Sequence, residues 1–310
     1  MDPLDAYLDA CLEGRAEEPE AFLARHADLD EEARGLVRAM FRAAPARRAS
    51  GLPFERIGEF RLGRALGKGG MGRGFLARQE RIDRDDALEL IRPELRTSAT
   101  VGERFRREGA AVGRLRHPHI VAVHAMGEHE GVPFIAMEYV PGRNLDEVLA
   151  EAAGRGEPLP LDRVLEWTAR VADALAHAHG AGVVHRDVKP SNIRVTPEGR
   201  PLLLDFGLAR AVDVDGSLTA SFTGSPLYAA PEQLTGAPLD ARADVYGLGV
   251  TLYQCLTGRV PFPGRTFEDT LRRVLTDDPV PPRRIDPSLS RDLETVVLKA
   301  IARDPDARYA

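Results

Sequence analysis

Residues 67–72, which read GKGGMG, have the spacing G-x-G-x-x-G, and glycines at these positions let backbone N–H groups approach phosphate oxygens closely. Strand-like runs precede and follow the segment, over residues 60–67 and 72–80. A dinucleotide-binding turn with this spacing leads from a strand into a helix, so the two flanking strands disfavour that site. They favour a loop folded over phosphates, although glycine-rich hairpins without a ligand are common.

Three further strings carry charged and amide side chains at fixed spacing. They read HRDVKPSN at residues 185–192, DFG at 205–207 and APE at 230–232. Eight or more fixed positions in this order are very improbable as a coincidence. On these residues the chain resembles the bacterial eukaryotic-like (Hanks-type) serine/threonine protein kinases, from about Phe60 onward. The resemblance implies an α+β, two-lobed protein kinase fold, with a small β-rich lobe before a larger helical lobe.

The resemblance also implies transfer of the γ-phosphate of ATP to serine and threonine hydroxyls of protein substrates, autophosphorylation included. This reaction depends on positioning and charge neutralisation more than on covalent help. Asp187 would accept the hydroxyl proton, and Lys189 would lie beside the transferred phosphate. Asn192 and Asp205 would hold Mg²⁺, which prefers oxygen ligands. Lys189, together with Ser225, indicates serine/threonine rather than tyrosine specificity.

Residues that would bind the nucleotide follow from the same resemblance. They are Gly67, Lys68, Gly69, Gly72, Ala87, Glu108, Met137, Glu138 and Val140. Residues that would regulate the activity are an arginine beside Asp187 and three hydroxyl side chains whose phosphorylation would bring a negative charge to it. They are Arg186, Thr219, Ser221 and Thr223. Unmodified serine and threonine side chains that only solvate a loop are the alternative for each of the three.

Two structural contacts are implied as well. Glu232 would pair with Arg308, and Asp244 would anchor the catalytic loop from a buried helix.

The third strand of the family reads Val-Ala-x-Lys, whereas this chain reads DALE at residues 86–89. Glu89 therefore occupies the place of the lysine that holds the α and β phosphates, and its usual partner in the next helix is Glu108. At ~4 Å and an effective dielectric constant near ~20, the interaction changes from ~4 kcal/mol attractive to ~4 kcal/mol repulsive. Three other departures are assigned to the same nucleotide pocket. They are Asp86 and Gly74, each in place of a valine, and Arg194 in place of a leucine.

These departures support the hypothesis that ATP binding is weak or lost while the transfer and Mg²⁺ residues remain. Lys68 in the glycine-rich loop, or Arg73 beside it, is a candidate to replace the missing lysine. The alternative for Lys68 is an ordinary solvent-exposed lysine. The alternative function is a pseudokinase that acts as a scaffold or allosteric partner. A small-molecule kinase is a third reading, which the full segment through APE disfavours.

The elements that would position these residues follow from hydrophobic periodicity. Strands are expected over residues 60–67, 72–80, 85–92, 120–125 and 133–138. Helices are expected over residues 101–115, 161–180 and 240–256. Helical spacing of apolar residues also begins at Leu4 and again near Leu36, with Asp30 as the predicted N-cap of the later helix.

Composition limits the function classes. The 310 residues include 42 Lys and Arg and 48 Asp and Glu, a net charge of −6, and only three of the basic residues are lysines. No basic block indicates nucleic-acid binding, and no apolar run is long enough for a membrane span. The N-terminus lacks the pattern of a signal peptide, and Cys11 and Cys255 match no metal or disulfide framework. We therefore expect a cytoplasmic protein.

We predict a helical N-terminal extension over residues 1–56, a β-rich lobe over 57–138 and a helical lobe over 139–310. The first part is strongly acidic up to residue 32 and arginine-rich after it. A segment that packs on its neighbour explains it, and a docking module is the alternative. The family domain continues beyond Arg308 by one more helix, so we expect the helical lobe to be cut short here, with room for a sensor or membrane segment beyond it.

Overall fold

The computed structural model describes most of the chain, and at Lys68 its backbone alone. The described residues are 4, 7, 17–31, 33–35, 37–38, 55–68, 72–91, 109–129, 132–206 and 226–310. The chain divides into two compact units, the first with residues 1–109 and 122–139 and the second with residues 110–121 and 140–310.

Six antiparallel strands form the sheet of the first unit. They are β1 (Arg56–Ile57), β2 (Phe60–Lys68), β3 (Gly72–Gln79), β4 (Arg84–Ile91), β5 (Val123–His129) and β6 (Val132–Glu138). Their order across the sheet is β1-β2-β3-β4-β6-β5. Four of the five predicted strands are confirmed to within about two residues. The prediction for 120–125 is wrong in part, because the strand begins at Val123 and Ile120 makes only an isolated bridge to Leu203.

Side chains alternate between the two faces of β4, as the pleat of a strand requires. Asp86, Leu88 and Leu90 are buried on one face, while Ala87 and Glu89 lie half-buried on the other. Backbone hydrogen bonds to both neighbouring strands fix this register, so each residue keeps its face whatever its chemical type.

The N-terminal segment contributes to the core of the first unit. Its one helix with complete bounds is α1 (Pro19–Arg25), which the sequence analysis did not predict and which starts with proline in its first turn. One core cluster contains apolar residues from the segment and from the buried face of the sheet. These include Leu4, Tyr7, Phe22, Leu23 and Val37 from the segment and Phe60, Phe75, Leu88, Leu90 and Phe134 from the strands. The predicted cap is confirmed, since Asp30 Oδ1 accepts the Ala33 N–H at 2.8 Å.

Helices dominate the described part of the second unit. They are α2 (Leu145–Arg155), α3 (Leu161–Gly180), α4 (Pro231–Thr235), α5 (Arg242–Thr257), α6 (Phe267–Thr276), α7 (Pro282–Ile285) and α8 (Arg291–Ala300), with 3₁₀ turns at Pro190–Asn192 and Pro305–Ala307. The short strands β7 (Arg143–Asn144), β8 (Ile193–Val195) and β9 (Pro201–Leu203) form a second sheet. The predicted helices over 161–180 and 240–256 are confirmed. Of the helix predicted over 101–115, residues 109–112 are helical and residues 101–108 lie outside the described residues.

Helix α5 is buried on nearly every side, and two glycines let it approach its neighbours closely. A Cβ at Gly247 would lie 2.8 Å from the Val188 carbonyl oxygen, and a Cβ at Gly249 would lie 2.7 Å from the Ala300 Cβ. Both distances are below van der Waals contact, so larger residues would push α5 away from the 185–192 loop and from α8. Among the described helices, none combines the length and apolar composition needed to cross a membrane.

Candidate active site

Asp244, in the first turn of α5, anchors the loop that contains the predicted catalytic residues. Its side chain is 1% exposed. Its Oδ2 accepts the His185 N–H at 2.7 Å, and its Oδ1 accepts the Arg186 N–H at 2.7 Å. His179 Nε2 lies 2.7 Å from the same Oδ2. The predicted role of Asp244 as an anchor is therefore confirmed, and one carboxylate fixes two consecutive peptide groups of the loop.

The fully buried His185 joins this loop to the start of the DFG segment. Its Nδ1 accepts the Asp187 N–H at 3.2 Å, so the ring proton is on Nε2, which donates to the Leu204 carbonyl at 2.7 Å. Its ring packs against Phe206 with 4.7 Å between centroids. The backbone before Asp187 and the backbone before Asp205 are thus held by one imidazole.

Arg186 has a left-handed backbone, with φ of 66°. This conformation costs a non-glycine residue roughly 1–2 kcal/mol, and it persists only where the surroundings impose it. Asp205 has a similar φ of 49°. Left-handed backbone therefore occurs immediately before Asp187 and at Asp205, the two predicted functional carboxylates.

Asp187, Lys189 and Asn192 are brought together, as the sequence predicts. Lys189 Nζ lies 2.7 Å from Asp187 Oδ2. Asn192 Nδ2 donates to the same oxygen at 3.0 Å and to the Asp187 carbonyl at 2.8 Å. The Asn192 side chain is buried, whereas that of Asp187 keeps 31% of its surface exposed. One carboxylate oxygen is held by two donors while the group remains accessible to a substrate.

The carboxyl of Asp205 lies near this group. Burial raises its pKa, the charge of Asp187 raises it further, and the ammonium of Lys189 opposes the shift. A bound cation would stabilise the ionised form of such a carboxyl.

Asp205 and Asn192 fit Mg²⁺, because a carboxylate and an amide both provide the oxygen ligands that this ion takes. Among the described residues, no three or more His, Cys, Asp or Glu side chains are arranged to hold a metal ion. An Mg²⁺ ion held by these two residues would complete its shell with water and substrate phosphates.

The predicted pair of Glu232 and Arg308 is confirmed as a buried, two-pronged salt bridge. Arg308 donates to Glu232 Oε1 at 2.6 Å and to Oε2 at 2.8 Å. It also donates to the carbonyls of Ala302, Arg303 and Arg242, so all five of its N–H groups are used. This salt bridge joins Glu232, the last residue of the DFG–APE segment, to residue 308 near the end of the second unit.

Tyr228 lies within the DFG–APE segment (residues 205–232), three residues before α4 begins. Burial raises its pKa to about 12, so the phenol stays neutral. Its hydroxyl donates to Gln254 Oε1 on α5 at 2.6 Å.

Ala87 and Glu89 lie on one face of β4, where the family's alanine and lysine are expected. Glu89 is opposite Gly74 on β3 and Ile135 on β6, and Ala87 is opposite Met137. The substituted residues Glu89 and Gly74 are therefore direct cross-strand neighbours on the same face.

Two other predictions for this pocket are wrong. Asp86 lies on the opposite face of β4, fully buried beside Leu88, where it pairs with Arg84 at 2.9 Å and with His124 Nδ1 at 2.9 Å. Arg73 is opposite Leu90 and so shares the face of Asp86, not that of Glu89. The period of two along a strand separates both residues from Ala87 and Glu89.

Three residues predicted in the glycine-rich loop have described backbones. Gly67 and Lys68 end β2, opposite Gly74 and Arg73. Gly72 begins β3, where a Cβ would lie 1.7 Å from the Leu90 carbonyl oxygen. Glycine is thus required at residue 72 by the approach of β3 to β4.

The predicted residues Met137 and Glu138 end β6 in the first unit, where the Glu138 N–H donates to the Ala122 carbonyl at 2.8 Å. Val140 is buried in the second unit. Arg194, on β8, donates to the Val140 carbonyl at 3.2 Å and to Asn144 Oδ1 at 2.9 Å. Its guanidinium is therefore held within the second unit. The remaining predicted residues, Gly69, Glu108, Thr219, Ser221 and Thr223, lie outside the described residues.

The sequence analysis missed two residues that hold the loop. His179 contacts Asp244 across 65 positions of the chain, and no local pattern signals such a contact. Gln233 contacts the Arg186 carbonyl from α4. Its place at the third helical position after Ala230 is a known site for glutamine in a capping box, and that pattern predicts its contact with the Ala230 N–H but not the one with Arg186.

Comparison with known proteins shows which family the chain belongs to. Residues 60–310 match the protein kinase domain family. PknB, a serine/threonine-protein kinase of Mycobacterium tuberculosis, is 40% identical over 257 residues, covering 81% of this chain and 40% of PknB. A probable serine/threonine-protein kinase of Streptomyces coelicolor is 39% identical over 259 residues, covering 81% of this chain and 38% of the relative. The chain thus spans about two fifths of the length of these curated relatives.

Solved structures also match this chain, and they are kinase domains. Crystal structures of the Mycobacterium tuberculosis PknI kinase domain match with TM-scores of 0.66–0.67 and 32% identity, over 82% of this chain and 91–92% of that domain.

Proposed function

Because this chain belongs to the protein kinase family, we propose that it transfers the γ-phosphate of ATP to serine and threonine hydroxyls of protein substrates. Membership in the family confirms the predicted α+β fold class, with a sheet-rich and a helix-rich part. The observation that carries the proposal is the group formed by Asp187, Lys189 and Asn192. An ammonium and an amide, each within hydrogen-bond distance of one carboxylate, are groups suited to phosphoryl transfer to a hydroxyl.

Asp187 would orient the substrate hydroxyl and accept its proton. Its Oδ2 is held by Lys189 and Asn192, so the plane of the carboxylate is fixed and Oδ1 is the oxygen for the hydroxyl. The proton would pass to Asp187 as the hydroxyl oxygen forms its bond to the γ-phosphorus and the bond from that phosphorus to the bridging oxygen of the departing ADP breaks. The ammonium of Lys189 would offset negative charge on the transferred phosphoryl group.

Asn192 and Asp205 would hold Mg²⁺ through oxygen atoms. When bound, this ion neutralises and orients the nucleotide phosphates. The raised pKa of Asp205 supports the assignment, because a cation would stabilise the ionised form of this half-buried carboxyl beside a second carboxylate.

Regulation would act through Arg186. A phosphate on Thr219, Ser221 or Thr223 would pair with its guanidinium, and autophosphorylation would be the source of that phosphate. A cytoplasmic location is part of the proposal. Its basis is the sequence, in which Cys11 and Cys255 match no disulfide framework.

The second candidate is a pseudokinase, and Glu89 is the observation that favours it. The register of β4 puts its carboxylate on the face of Ala87, where the family has a lysine for the phosphates. A negative group there opposes the binding of a triphosphate. Lys68 remains a candidate to supply the missing positive charge.

Incubation with γ-labelled ATP, Mg²⁺ and casein tests the two candidates. Four proteins are compared: the wild type, Asp187→Asn, Glu89→Lys and Glu128→Lys. Glu128 is exposed on the edge strand β5 of the same sheet, with β6 between it and β4, so its variant repeats the charge change two strands away from Ala87 and Glu89.

Label transfer by the wild type that is lost in Asp187→Asn supports the kinase. Transfer that appears only in Glu89→Lys, and not in Glu128→Lys, supports the pseudokinase. If no variant transfers label, the kinase proposal is overturned. Lys68→Ala is added where the wild type is active, and its unchanged transfer rate would remove the substitute-lysine hypothesis.

A further inference from the structure

The amide of Gln233 makes one contact to each of two segments that carry the proposed reaction. Its Nε2 donates to the Arg186 carbonyl at 2.8 Å. Its Oε1 accepts the Ala230 N–H at 3.0 Å. Gln233 is the third residue of α4, half-buried, and Ala230 is the last residue before that helix. One side chain therefore joins the 185–192 loop to Ala230, at the end of the DFG–APE segment.

The peptide group that Gln233 contacts is the one leading into Asp187. Its carbonyl oxygen, from Arg186, is held by Gln233, and its N–H, from Asp187, is held by His185 Nδ1 at 3.2 Å. Both polar atoms of this single peptide group thus have fixed partners. The orientation of a peptide group sets the direction in which the next side chain leaves the backbone.

The left-handed backbone of Arg186 depends on the hydrogen bond from Gln233 to the Arg186 carbonyl. The conformation is held at its N–H by Asp244 Oδ1 at 2.7 Å and at its carbonyl by Gln233. A strained residue persists only where several contacts impose its conformation. Without the contact of Gln233, the hydrogen bond to His185 is the one remaining partner of the following peptide group, so the ψ angle of Arg186 is held less firmly.

We propose that Gln233 is a positioning residue that sets the orientation of the Asp187 carboxylate through the Arg186–Asp187 peptide group and couples it to the end of the DFG–APE segment. This inference rests on the proposed kinase activity for its meaning. The contact itself is tested without that activity, by hydrogen exchange.

Gln233→Glu separates the two contacts of the side chain. A glutamate keeps an oxygen for the Ala230 N–H, as in an ordinary capping box, but when ionised it has no donor for the Arg186 carbonyl. Thr235→Val is the matched control on the same helix, since it removes the hydrogen bond from Thr235 Oγ1 to the Pro231 carbonyl at 3.0 Å without touching the loop. Both variants are compared with the wild type at the same pH.

Amide hydrogen exchange is followed by mass spectrometry in peptides that cover residues 183–189 and 291–300. We expect Gln233→Glu to speed exchange at 183–189 by about tenfold, with little change at 291–300, because only the loop has lost a contact. Equal exchange in Gln233→Glu and the wild type overturns the proposal. So does an acceleration that Thr235→Val reproduces, or one that is as large at 291–300, since either indicates general loosening.

Kinetics give the second measurement. Where the chain is active, or becomes active with Glu89→Lys, we expect Gln233→Glu to lower kcat by about tenfold to a hundredfold with little change in the KM for ATP. The deficit relative to the wild type should shrink as the pH falls toward the usual pKa of glutamate, about 4.3, because the protonated side chain regains a donor. A kcat equal to that of the wild type, or a deficit independent of pH, overturns the positioning role. If no variant transfers phosphate, only the proposed function has failed, and hydrogen exchange decides this inference.

Discussion

The 185–192 loop and strand β4 carry the two sets of charged side chains on which the proposed reaction depends, and the protein positions them in different ways. The loop is held by side chains from distant parts of the chain, with Asp244 on the N–H groups and Gln233 on a carbonyl. Strand β4 is held by backbone hydrogen bonds to β3 and β6. Backbone pairing places residue 89 without reference to its chemical type.

This difference explains how Glu89 coexists with an intact loop. A sheet tolerates a change of charge on its half-buried face, because its register depends on backbone pairing and on the buried face. The loop has no such independence, since its strained backbone needs particular acceptors and donors. A side chain on the half-buried face of β4 can therefore be replaced without changing the backbone of the strand. In the 185–192 loop, replacing a side chain that holds the backbone also changes the backbone conformation.

Lys189→Met has the largest expected effect and falls on the loop. Removing the ammonium 2.7 Å from Asp187 Oδ2 should lower kcat by roughly 10²–10³-fold, because a charge aimed at the transferred group is lost. Label transfer under saturating ATP measures it. Lys299→Met is the control, since this lysine lies over the Tyr309 ring on the surface of α8. Equal loss in both variants would contradict a specific role for Lys189.

Leu88→Ala and Glu89→Ala sharpen the comparison within β4 itself. Leu88 is fully buried, so its truncation should lower the free energy of unfolding by about 2–5 kcal/mol. Glu89→Ala should change it by less than about 1 kcal/mol, because this side chain lies on the half-buried face. Urea titrations followed by circular dichroism give both values. The account fails if the neighbouring residues cost the same.

Asp244→Asn tests the anchor of the loop. An asparagine offers one oxygen where the carboxylate accepts N–H groups on both of its oxygens, so one buried donor loses its partner. We expect a loss of about 1.5–3 kcal/mol in the free energy of unfolding, with a fall in kcat. Asp240→Asn, at an exposed carboxylate just before α5, is the control and should change stability by less than ~1 kcal/mol. Similar losses at the two positions would show that the loop does not depend on Asp244.

Much of the fold could be predicted from the sequence, because local patterns encode it. Alternation and glycine placement gave β2, β3, β4 and β6, and periodicity gave α3. Helix α1 was missed, since its seven residues are too few for a clear period. The start of β5 was misplaced because the apolar run near Ile120 continues only into a single bridge, while the more polar residues that follow are paired by backbone.

The residue types of the site could be predicted from the sequence, whereas the contacts between them and the faces on which they lie were harder to predict. The motif residues Asp187, Lys189 and Asn192 meet as expected. Asp86 and Arg73 were assigned to the wrong face, although the period of two along a strand was available to separate them from Glu89. Contacts such as that of Gln233 with Arg186 depend on the tertiary fold, which no local pattern contains.

Steady-state kinetics of the wild type and Glu89→Lys, over a full range of Mg-ATP concentrations, test the central claim most directly. The claim is that the loop is competent and that β4 limits nucleotide binding. The account predicts that Glu89→Lys lowers the KM for ATP about tenfold or more while kcat changes by less than about threefold. An unchanged KM with a large rise in kcat would contradict it, and so would a wild-type KM as low as that of the variant.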